Sequence, residues 1–246
     1  MRPLTTIELL NVWEAGLQQT LLEKALHLLR VACAAEDISS IASLSVGQRD
    51  AHLLQLREWL FGFHLLNKAT CPTCAETVEW ETSTRDLRLQ TPEAVGLQKE
   101  FTLERDGFLV RFRLPNSHDL RRAMSQVSYQ ATPEQLLADC LISVQQQAQE
   151  YSFAELPATI VEALNEQMAR EDPQADIQML VNCPGCGQQW EVRFDIVSYL
   201  WLEIESWARH ILQEVYALAR AYGWSEQDIL RMSPQRRQLY LDLIGV

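Results

Sequence analysis

Two Cys-Pro-x-Cys segments constrain this chain more than any other feature. Cys71-Pro72-Thr73-Cys74 opens "CPTCAETVEW" and Cys183-Pro184-Gly185-Cys186 opens "CPGCGQQWEV", so four of the six cysteines lie in two matching pairs. Laid one over the other without gaps, Cys, Pro and Cys coincide, Glu79 falls on Glu191 and Val78 on Trp190. Each pair follows an apolar segment and precedes an alternating one, the local plan of a zinc knuckle. One knuckle offers two thiolates, whereas a structural zinc site takes four in a tetrahedron. Cys71, Cys74, Cys183 and Cys186 together would complete one site with one structural Zn2+ per chain. Residues 75–182 would then be an insertion whose ends the metal ties together.

Two other uses of paired cysteines compete with this reading. A thioredoxin-like CPxC places its first cysteine at a helix N-terminus within a βαβ unit. Here the residues after each pair alternate as strands. A structural disulfide requires an oxidising compartment. The segment "MRPLTTIELLNVWEAGL" lacks the basic and apolar regions of a signal peptide, and no apolar run reaches the length of a membrane span. The expectation is therefore a cytoplasmic protein with no membrane association. Whether the pairs share one ion or hold two is left open, since His64 adjoins the first pair. Cys33 and Cys140 lie on apolar helical faces and read as buried core thiols.

Charge bears on partners. A formal charge of −12 opposes phosphate backbones. The arginines between Arg209 and Arg237 are offset by Glu205, Glu214, Glu226, Asp228 and Asp242. No G-x-G-x-x-G, Walker A, H-E-x-x-H or G-x-S-x-G segment is present, so no catalytic residue is nominated.

Periodicity predicts an α+β fold, predominantly helical, with a small antiparallel β portion and a zinc-ribbon-like four-cysteine site. Helices are expected over residues 4–35, about 48–65, 117–124, from Thr132 through Val144, 157–170 and 196–222, followed by two short ones. Thr132-Pro133-Glu134-Gln135 has the form of a helix start. Thr77–Glu81 and Ile177–Val181 alternate as strands, and residues 99–114 form a hairpin about Asp106-Gly107. Three regions of one compact unit follow: N-terminal helices (1–70), the knuckle pair with its inserted hairpin and helices (71–192), and C-terminal helices (193–246).

The C-terminal run "FDIVSYLWLEIESWARHILQEVYALARAYGWSEQDILRMSPQRRQLYLDLI" carries more than an apolar stripe: Tyr222-Gly223-Trp224-Ser225-Glu226, then Ile229-Leu230, Ser233, Arg236, Arg237, Tyr240 and Leu241. This pattern resembles the family of the baseplate hub assembly protein of T-even phages, found in gene clusters of phage-tail-like contractile injection systems. "VWEAGL", "SVGQRDAHLLQLREWLFG", "FRLPNSHDL", "REDPQADI" and both CPxC segments extend the resemblance over roughly residues 7–246. Tyr216 stands where many relatives are expected to carry His, and no role is assigned to it.

The resemblance implies a non-enzymatic assembly chaperone or adaptor. Its partners would be baseplate or tube proteins of a contractile particle, met in the cytoplasm of a bacterial or phage-infected cell or on the particle. A zinc-ribbon nucleic-acid-binding regulator and a dithiol oxidoreductase are the alternatives. Trp, Tyr and Arg are enriched where partners dock, which marks Trp224, Arg236, Arg237 and Tyr240 as a candidate partner surface. The blander assignment makes the aromatics core and the arginines a solvated face.

Overall fold

The computed structural model describes residues 1–34, 37–89, 99–125, 133–147 and 149–245. In chain order its first elements are α1 (Thr6–Gly16), α2 (Leu21–Ala32), α3 (Ile38–Ala42), α4 (Val46–Phe61), β1 (His64–Thr70), β2 (Thr77–Ser83) and α5 (Thr84–Leu87). Next come β3 (Glu100–Arg105), β4 (Phe108–Arg113), α6 (Ser117–Ser125), α7 (Pro133–Cys140), β5 (Leu141–Gln146), β6 (Gln149–Glu150) and α8 (Ala158–Glu171). The last are β7 (Ile177–Asn182), β8 (Gln189–Phe194), α9 (Ile196–Tyr222), α10 (Glu226–Leu230) and α11 (Pro234–Leu243). Helices predominate and the sheets are small and antiparallel, an α+β fold.

The chain forms two compact units. One joins Met1–Ala34 to Ile196–Val246, and the other is Ala35–Asp195. Residues 37–70 fall in the same unit as the four cysteines.

In the first unit, α9 is the spine. Leu200, Ile204, Ala208, Ile211 and Leu218 recur at helical spacing and are buried. Leu10 and Leu230 pack on Ala208 and Ile211, and Ile229 and Leu241 pack on Leu218. The single helix expected over 4–35 is two. A Cβ on Gly16 would overlap the Trp201 ring, and a capping box restarts the chain at Thr20. The Thr20 hydroxyl accepts from the Glu23 N–H, and the Glu23 carboxylate accepts from the Thr20 N–H at 2.9 Å. At the far end Gly223 adopts φ 71° as a C′ residue, its N–H donating to the Ala219 carbonyl. Ser225 and Ser233 cap the two terminal helices.

In the second unit, α4 is buried nearly all round, with Ala51, Leu53, Leu54 and Leu56 inaccessible. It stops at Gly62, whose φ of 85° suits glycine. The chain then enters β1 instead of continuing as helix to Leu65. The expected 99–114 hairpin is present as β3–β4, turned by Asp106 (φ 50°) and Gly107 (φ 79°). It heads the four-stranded sheet β3-β4-β5-β6. Its core faces α8: Phe112, Val110 and Val144 pack with Ile160, Leu164 and Met168. The helix expected to reach Val144 ends at Cys140, because Leu141–Gln146 has a stronger option in pairing with β4, Val144 opposite Val110. The proposed N-cap Thr132 lies outside the described residues. Cys33 and Cys140 are buried, as expected.

Candidate metal centre

Each CPxC segment is the turn of a two-stranded hairpin. β1 pairs with β2 from Leu65↔Thr82 to Thr70↔Thr77, and β7 with β8 from Ile177↔Phe194 to Asn182↔Gln189. Period-two alternation turns Leu65, Val78, Ile177 and Val181 inward. Between the strands, both turns close with the same hydrogen bonds. The Cys71 N–H donates to the Glu76 carbonyl and the Cys183 N–H to the Gln188 carbonyl, each at 2.8 Å. The Ala75 N–H returns to the Cys71 carbonyl and the Gly187 N–H to the Cys183 carbonyl, each at 3.0 Å. Ala75 (φ 60°) and Gly187 (φ 75°) occupy the same left-handed position after the second cysteine. The likeness read from sequence is therefore a likeness of backbone.

The two tips meet. All four Sγ atoms of Cys71, Cys74, Cys183 and Cys186 lie within 4.8 Å of one another. Across the tips, Cys71 Sγ is 3.7 Å from Cys186 Sγ, and Cys74 Sγ is 3.5 Å from Cys183 Sγ. These are no disulfides, which need about 2.05 Å. A metal held tetrahedrally by sulfur at about 2.3 Å would place its ligands roughly 3.8 Å apart, close to the separations found. The donor set therefore fits a thiophilic metal ion. Cys71 and Cys183 are buried beside Val78 and Val181, flanked by Trp80, Trp190 and Val192. Cys74 and Cys186 face the surface. His64 stands at the opposite end of β1, paired with Ser83, and is no part of the cluster.

As free thiols, Cys71, Cys74 and Cys186 do not ionise alike. The Cys74 N–H, and after burial's opposing effect the Thr73 N–H, hold the Cys71 thiol down to about 7. For Cys74 the Glu76 N–H favours the thiolate, but the thiols of Cys183 and Cys186 together with burial outweigh it and push the group up to about 12. Cys186 is also raised. Its Gln188 N–H and Cys74 favour the thiolate, but burial and the neighbouring thiols Cys71 and Cys183 prevail. A dication held by the cluster would remove this conflict, since cysteines bind metal as thiolates and release their protons. Neither pair sits at the N-terminus of a helix, where a redox CPxC would gain its reactivity.

A family described as T4 bacteriophage base plate protein matches residues 4–201. The chain belongs to this family. The match takes in both hairpins of this baseplate-family chain and all four clustered cysteines. It stops inside α9, so the C-terminal run that carries the most specific sequence resemblance lies mostly beyond it. No curated protein and no solved structure matches the chain. Among the described residues of the family member, no helix is long and apolar enough to cross a membrane.

The four residues considered for a partner surface do not share one environment. Trp224 is half-buried, stacked on Tyr222 at 4.4 Å and edge-on to Tyr240 at 4.8 Å between ring centroids. Arg236 is exposed, 5.8 Å from the Tyr240 ring. Arg237 instead turns inward. Its side chain is 3% accessible, its Nε donates to Glu214 Oε2 at 2.8 Å, and its Nη1 donates to the Met232 carbonyl at 2.9 Å. Sequence reasoning also passed over Glu76, whose side chain lies against the second knuckle. The only signal for it was its alignment with the neutral Gln188.

Proposed function

We propose that this baseplate-family protein is a non-enzymatic assembly chaperone or adaptor for the hub or tube of a phage-tail-like contractile injection system. It is stapled by one structural Zn2+ on Cys71, Cys74, Cys183 and Cys186. The family match over residues 4–201 carries the reading. The cysteine cluster supports the metal part: four thiolates fill a tetrahedral ion and leave no position for water or substrate. Zinc's role is then to hold the unit in shape, and the working surface lies elsewhere.

Its partners are other baseplate or tube proteins, met in the cytoplasm of the producing cell or on the particle. The docking surface in this reading is the aromatic group Tyr222, Trp224 and Tyr240 with exposed Arg236. Arg237 supports it from beneath. Expressing the complete particle gene cluster with and without this chain, and counting contractile particles by electron microscopy, tests the assembly role. The expected result is loss of complete particles without the chain and co-purification of at least one baseplate or tube component with it. Undiminished particle yield in its absence would end the proposal.

A further inference from the structure

We infer that Glu76 holds the four-cysteine centre in a weaker-binding, exchangeable state, so that its metal is released more readily than four thiolates alone would allow. The inference rests on the metal reading above. Glu76 anchors its carbonyl in the first knuckle, accepting from the Cys71 N–H. Its side chain crosses to the second, where Oε2 lies 3.7 Å from Cys183 Sγ, within reach of an S–H donor. The carboxylate also fills the space above Gly185 where any other residue would place a Cβ. At the corresponding place in the second knuckle the chain carries Gln188, which is neutral. The two halves thus match in backbone and ligands but differ by one charge.

The sign of the effect follows from the charges. With the thiol protonated, Cys183 donates to the carboxylate and the contact is favourable. With a dication and four thiolates in place, the centre carries a net charge of about −2. The same carboxylate then faces an anionic centre with no proton between them. Groups that touch the ligands from outside the coordination sphere alter metal affinity by roughly 10- to 100-fold. Glu76 is exposed, so solvent screens it. Against one unit of charge on the nearest thiolate, at about 4 Å in water-like surroundings, the repulsion accounts for roughly a five- to tenfold loss of affinity.

Zinc release from the reduced, zinc-loaded full chain to excess 4-(2-pyridylazo)resorcinol reads this directly, with zinc affinity measured by competition. Glu76→Gln gives the first knuckle the second knuckle's side chain and should slow release and tighten binding about five- to tenfold. Gly185→Ala should act in the same direction by displacing the carboxylate. Glu79→Gln, on the outer face of β2 beside Lys68, should match the wild type. Cobalt-substituted wild type and Glu76→Gln should show the same tetrathiolate absorption bands. Unchanged or faster release from Glu76→Gln overturns the inference while leaving the metal centre standing. A chain that binds no metal overturns both.

Discussion

Replacing Arg237 by alanine removes one half of an ion pair that the fold has taken out of water. The guanidinium is 3% accessible and the Glu214 side chain 12%. The substitution leaves the Met232 carbonyl without its 2.9 Å donor and Glu214 without its 2.8 Å partner. Breaking a buried pair by removing one member destabilises by about 3–5 kcal/mol. Glu214 keeps its 3.1 Å contact with His210 Nε2 and some access to water, which places the expected loss near the lower end, at about 3 kcal/mol. Urea unfolding of the full chain should show it, followed by near-ultraviolet circular dichroism of the Tyr222–Trp224–Tyr240 group. At a slope of about 1–3 kcal/mol/M the midpoint falls by roughly 1–3 M.

Arg236→Ala is the control. That side chain is exposed and makes one distant ring contact, so its removal should change stability by less than about 0.5 kcal/mol. The pair Arg237→Met with Glu214→Leu should recover part of the loss, since neither charge then remains buried alone. If Arg237→Ala unfolds within about 0.5 kcal/mol of wild type, or Arg236→Ala loses as much as it does, the assignment of one arginine to the interior and one to the surface is wrong.

Elemental analysis of the reduced chain should find one zinc per molecule, lost in Cys186→Ser and kept in Cys33→Ser, whose buried thiol is outside the cluster. Phe112→Ala, at an inaccessible position in the sheet core, should cost about 3–5 kcal/mol in chemical denaturation. Thr20→Ala removes the box that restarts the second helix and should cost about 1 kcal/mol. Burial, opposed by Arg49 and reinforced by Asp195 and Asp172, pushes Asp50 up to about 6. The folded state then binds its proton more tightly than the unfolded state, so stability should fall as pH rises from about 4 to 6. Asp50→Asn should flatten that slope in pH-dependent unfolding, and an unaltered slope would remove Asp50 as its source.

What the sequence made legible was whatever a local rule decides. Asp106-Gly107 announced its hairpin, and the helix expected over residues 196–222 is α9 with the same bounds. Duplication made the cysteine cluster legible too: a second matching pair pointed to four thiols meeting at one place, and their Sγ atoms do lie within 4.8 Å of one another. The misses are places where a distant partner outweighed a local preference. Leu141–Gln146 continues an apolar helical stripe, but its pairing with β4 lies some thirty residues away. Arg237 sits on a helix whose neighbours are polar, and only the position of Glu214 on α9 turns it inward. Gly16 and Thr20 were readable as a break, yet the apolar repeat across residues 9–29 masked them.

A metal at the tips would matter to the two hairpins for a physical reason. A two-stranded hairpin is marginal by itself in water, and the two here share a core of four buried residues, two of them cysteines of the cluster. The chain between their tips must be closed into a loop of roughly a hundred residues, and a covalent cross-link closing such a loop contributes about 4–5 kcal/mol in the chain-entropy account. A tetrathiolate zinc would join the same two points while allowing the cross-link to be undone by removing the ion. Chelation should therefore loosen the Ala35–Asp195 unit more than a single core substitution does. It should act first on the hairpin amides from Leu65 to Thr82 and from Ile177 to Phe194, read by hydrogen exchange. The β3–β6 sheet, with Phe112 and Val110 packed on α8, has a core of its own and should open later.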